Sequence, residues 1–161
     1  MKRVGFIIER IVDLGGYLSG WLVPCMMILV AVEVFMRYVL RQPPMVADEF
    51  SAYMLVALSY LGLAYTWRQK GHVRITLLVS RLPSRVASWI RLVVLIFTLI
   101  FLIGLTDAGY KMVVYAIKID LRSETWLIFP LFWPQVTVFI GFILLTLMLV
   151  VEIARAIVKM R

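Results

Sequence analysis

Four long runs without a charged side chain constrain this sequence more than any other feature: residues 14–32, 50–67, 92–106 and 125–151. Lipid offers no hydrogen-bond partner to open backbone, so a crossing segment must be a helix of about 20 mostly apolar residues. The first, second and fourth runs approach or exceed that length. The third is short, and it is expected to continue through Asp107, Gly109 and Tyr110 to Ile117, emerging from the lipid as a helix. Arg91 at its other end can snorkel to the headgroups. With 63% hydrophobic and 16% charged residues, the chain carries more apolar surface than a soluble domain of 161 residues can hide. The expected fold is an all-α integral membrane protein, with four transmembrane helices in a single domain over residues 1–161.

The formal net charge of +8 would suggest nucleic acid in a soluble domain. Here it reads as loop charge beside anionic headgroups. Alternating the four spans places twelve of the 17 basic residues on the side of the termini and middle loop, Arg3, Arg68, Arg74 and Arg155 among them. The other side receives Arg37, Arg41, Lys111, Lys118 and Arg122, with Asp48, Glu49, Asp107, Asp120 and Glu124. The positive-inside rule then predicts cytoplasmic termini. Met1-Lys2-Arg3 resembles the start of a signal peptide, but Glu9, Arg10 and Asp13 interrupt it and no small-residue cleavage pattern precedes Trp21, so the first helix is expected to be retained.

In the middle loop, Ile75, Leu78, Val79 and Leu82 share one helical face, with Arg74 and Arg81 on its flank. Residues 73–82 are therefore expected to form a short helix in the interface plane. Pro83 stops it, and Ser84 is the expected N-cap of the third span. Residues 119–134 carry Trp126, Phe129, Phe132 and Trp133, with Pro130 and Pro134. Residues 126–133 suit an irregular segment at the membrane edge that survives only against protein.

Catalytic chemistry has little to work with. His72 is the only histidine, so a bis-histidine haem is excluded. Metal-ligand clusters, phosphate loops and dinucleotide fingerprints are missing from the sequence, and neither an enzyme nor a cofactor is expected. Cys25 reads as a small core residue. Glu33 is the one acid well inside a span. It can be a proton or cation site, or the first member of an i,i+4 pair with Arg37. Arg37 also faces Asp48 and Glu49 across the turn, where a bridge would pin the hairpin. Gly16 and Gly20, Ser59 and Gly62, and Gly104 and Ala108 mark faces where helices can approach closely, within the chain or against a partner.

The run Phe35-Met36-Arg37-Tyr38, the following prolines, and Asp48-Glu49-Phe50 resemble the small membrane subunit, DctQ type, of tripartite ATP-independent periplasmic (TRAP) transporters. Leu61-Gly62-Leu63-Ala64, then Arg68, Gly71-His72-Val73, Leu82-Pro83 and the late proline before the last span continue the pattern. Each motif alone is weak, but their order and spacing cover nearly the whole chain. The resemblance implies a non-catalytic inner-membrane subunit that pairs with a much larger transporter subunit. A soluble periplasmic protein would deliver an organic acid, of dicarboxylate or sialic acid type, and a sodium gradient would drive uptake. Substrate and ion sites would lie on the large subunit. Arg37 and Glu49 would then shape the outer corner, with His72 near the cytoplasmic ends, and Glu33, Asp48 and Arg68 join these three as candidate structural or interface residues. Two other readings stay open: a self-sufficient four-helix proton-coupled exporter using Glu33, and a membrane anchor for a redox enzyme, which the lone histidine disfavours.

Overall fold

The structure, a computed structural model, describes residues 2–42, 44–69 and 83–160. Among the described residues four α-helices follow one another: α1 (Lys2–Phe35), α2 (Ala47–Arg68), α3 (Ser84–Lys118) and α4 (Phe132–Met160). Each is long and apolar enough to cross a membrane. The expected interfacial helix at 73–82, and His72, lie outside the described residues. Helix α3 begins at Ser84 with Pro83 in the cap position and no side-chain cap bond, so Ser84 does not serve as the N-cap.

The helices exceed the charge-free runs because lysines, arginines and acids at a membrane interface do not stop a helix. Helix α1 also carries Pro24 in its interior, a break that neighbouring helices can tolerate in lipid. At its far end α1 widens into one π-helical stretch, Met36–Leu40. Arg41 then adopts a left-handed conformation (φ 54°), and the Gln42 amide closes on the Met36 carbonyl at 3.2 Å. Helix α3 ends in a Schellman motif: Asp120 takes the left-handed position, Leu121 N–H donates to Ala116 and Asp120 N–H to Ile117.

Packing runs in the order α1, α2, α4, α3, with only a thin contact between α1 and α4. The molecule is thus closer to one layer of helices than to a closed bundle. Helix α4 lies inside the layer and supplies Leu145, Met148 and Leu149 to a small core with Val12, Ala64, Leu95 and Leu102. Two glycines make the close approaches. A Cβ on Gly141 would fall 2.5 Å from the Tyr60 carbonyl oxygen, and one on Gly16 would clash with the edge of the Tyr65 ring. Gly62 faces Ser19 in the same α1–α2 seam, so part of the small-residue pattern serves internal packing. Gly20 and Gly104 meet nothing within 4 Å. Cys25 is exposed and is not a core residue.

Both termini lie at one end of the layer, where Gly5 approaches Arg155. The other end holds the α1–α2 connection and residues 119–131. The 22 residues of α2 span about 33 Å at ~1.5 Å per residue, close to the hydrocarbon thickness of about 30 Å. Helix α2 therefore gives the depth scale for the rest.

Candidate functional site

Polar chemistry gathers at the two ends of the layer. At the hairpin end the organising group is Glu33, which is 4% exposed. One carboxylate oxygen accepts from Arg37 Nη2 at 2.5 Å. The other accepts from the backbone N–H groups of Val46 at 2.9 Å and Ala47 at 2.6 Å. Those amides open α2, where helical N–H groups have no partner within the helix and the dipole favours an anion. A carboxylate from α1 thus caps α2 from outside. The expected Glu33–Arg37 pair is present. The expected bridge from Arg37 to Asp48 or Glu49 is not, and the hairpin is held by Glu33 instead.

Asp48 and Glu49 part company because neighbours on a helix point about 100° apart. Asp48 is exposed. Glu49 turns to the 119–131 segment and accepts from the hydroxyls of Tyr53 and Thr125. Ser123 shares a hydrogen bond with Thr125 at 2.9 Å, and Ser123 N–H donates to the Phe129 carbonyl at 2.8 Å. Phe129 packs against the rings of Phe50 and Tyr53, each with centroids 5.3 Å apart. Trp126 Nε1 donates to the Met45 carbonyl at 3.2 Å. Residues 119–131 form an irregular segment, braced by one antiparallel bridge between Arg122 and Pro130 and seated on the start of α2. This agrees with an irregular aromatic stretch lying against protein.

At the end of the termini, Arg68 pairs with Asp13 and reaches Glu9 at 3.9 Å. Glu9 also holds Arg155 at 2.5 Å. Glu152 on α4 accepts from Arg91 at 2.6 Å and from Trp67 Nε1 at 2.5 Å. Two acids, Glu9 and Glu152, therefore join all four helices. Sequence reading picked out Arg68 here and missed its partners. The available signal was an acid near the terminal end of α1 and of α4, each needing a base at its own depth.

Among the described residues no group of three or more histidine, cysteine, aspartate or glutamate side chains could hold a metal ion. Glu9, Asp13, Glu33, Glu49 and Glu152 are each engaged by cations, amides or hydroxyls of another element and so fasten one element to the next. The family model described as "Tripartite ATP-independent periplasmic transporters, DctQ component" matches residues 26–159. The chain belongs to that family: it is a multi-pass inner-membrane component of a TRAP transporter, and it is not an enzyme. Proteins of this family work with a membrane partner and a periplasmic partner component. No curated protein matches the chain.

Proposed function

We propose that this chain is the stationary brace of a sodium-driven organic-acid importer. It holds the large transporter subunit in place, and its hairpin end, facing the periplasm, helps seat the substrate-loaded binding protein. The transported acid would be of dicarboxylate or sialic acid type and would bind on the large subunit. The positive-inside asymmetry supports this orientation, with both termini in the cytoplasm.

The observation that carries the reading is the state of Glu33. Both its oxygens are engaged, one by Arg37 and the other by two α2 amides. A proton carrier must be free to change partners, whereas this carboxylate is built into the joint between α1 and α2. That favours a brace over the alternative of a self-sufficient proton-coupled exporter. Affinity purification of the tagged chain from its native membrane tests the proposal. A large multi-span subunit should co-purify in a fixed ratio. Recovery of the chain alone, fully folded, would contradict it.

A further inference from the structure

The third helix carries an ion pair where lipid should be. Asp107 and Lys111 pair at 2.5 Å, one helical turn apart, with their side chains 59% and 73% exposed. Their depth follows from packing. Thr106 meets Thr146 of α4 at 3.3 Å, and Gly109 and Tyr110 lie against Phe139. That stretch of α4 contains Gly141, which abuts Tyr60. Tyr60 lies 13 residues after Ala47 and eight before Arg68, the two ends of α2. Asp107 and Lys111 therefore sit within the apolar span, not beyond its end as the sequence suggested.

They are also not scattered. Phe97, Ile100, Gly104, Asp107 and Lys111 follow one another at intervals of three and four, so they form a single stripe along α3. Phe97 is 75% and Ile100 64% exposed, and nothing lies within 4 Å of a Cβ placed on Gly104. The stripe has the anatomy of a helix-docking seam: large apolar residues, a glycine that admits a close backbone, and polar groups one turn on. Hydrocarbon cannot solvate the charges, so the seam calls for a polar-bearing occupant. On α1 the exposed face of Tyr17, Trp21 and Ile28 is uncharged and suits lipid directly.

We infer that this stripe of α3 receives a transmembrane helix of the large subunit, which presents hydrogen-bonding or charged side chains at the depth of Asp107 and Lys111. The inference rests on the brace reading and adds the face used. Charge argues against a second copy of this chain. A symmetric pair with its axis along the membrane normal would bring equal depths together, Asp107 against Asp107 and Lys111 against Lys111, like against like.

The test uses the intact transporter in native membranes, with a benzophenone amino acid in place of Ile100 or, separately, Trp21. The expected result is a photoadduct with the large subunit from position 100 and adducts with lipid from position 21. A second arm exchanges the pair, Asp107→Lys with Lys111→Asp. This keeps the bond within α3 but reverses the charges offered to a partner, and recovery of the large subunit should fall about tenfold or more at an unchanged level of this chain. Adducts with the large subunit from position 21 and not from 100, or full recovery after the exchange, would overturn the inference and leave the brace standing. Adducts between two copies of this chain from position 100 would overturn it in favour of self-association. Failure of the unaltered chain to bring down any large subunit would remove the brace reading and this inference together.

Discussion

The Glu33 carboxylate lies 2.6 Å from the Ala47 amide, although Glu33 belongs to α1 and Ala47 opens α2. A side chain of one helix thereby supplies the acceptor that the next helix lacks: no side chain of its own caps α2 at Val46. The turn between them needs left-handed backbone at Arg41 and at Met45, and the Glu33 contacts hold that turn closed.

Replacing Glu33 should therefore cost more than replacing its cation. Glu33→Ala leaves two amides without an acceptor, whereas Arg37→Ala leaves them bonded. Glu33→Gln keeps one acceptor oxygen and loses the charge, and should fall between. Thermal unfolding in detergent should rank the variants Arg37→Ala, Glu33→Gln, Glu33→Ala in order of decreasing stability. An equal effect of all three would place the hairpin's strength elsewhere.

Glu49 is predicted to hold residues 119–131 onto α2 through Tyr53 and Thr125. Glu49→Ala should free the segment while the helices stay assembled. Tryptic cleavage after Arg122, followed by mass spectrometry, should become several times faster. Asp48→Ala, on the neighbouring but exposed position, should leave the cleavage rate unchanged.

The two members of the Arg91–Glu152 pair should not be equivalent. Glu152 accepts from Arg91 and from Trp67, so Glu152→Leu breaks α4 from two helices and should cost about 1.5–3 kcal/mol. Arg91 is about half exposed, and Arg91→Leu should cost ~0–1 kcal/mol, the usual range for a solvated pair. Denaturant unfolding in mixed micelles checks both values.

Gly141→Leu should be the most disruptive apolar substitution in α4, because its Cβ alone would meet the Tyr60 backbone 2.5 Å away. Overpacking of this kind costs about 1–3 kcal/mol, more where backbone must move. Gly104→Leu, in open space, should leave the isolated chain's thermal stability unchanged.

The four spans were legible because lipid excludes charge, and the runs at 14–32 and 50–67 fall inside α1 and α2. Ends were less legible, since absence of charge is not the same as helix. Residues 125–131 carry no charge and yet form an irregular segment, with Pro130 and aromatic anchors on α2. The continuation of α3 through Asp107 and Lys111 is as expected, but the depth of that pair follows only from the packing of α3 on α4. At the hairpin, the Glu33–Arg37 pair could be read because i,i+4 neighbours meet on any helix. The second Glu33 oxygen reaches residues 13 and 14 positions away, a contact fixed only once the chain has reversed. The same holds for Glu9 with Arg155 and Glu152 with Trp67, which pair across the fold.

Reconstitution into liposomes with an imposed sodium gradient tests the central claim most directly. The chain alone should move no organic acid, and uptake should appear only when the large subunit and the loaded binding protein are also present. Transport by the chain alone, driven by a proton gradient and abolished by Glu33→Gln, would contradict the account.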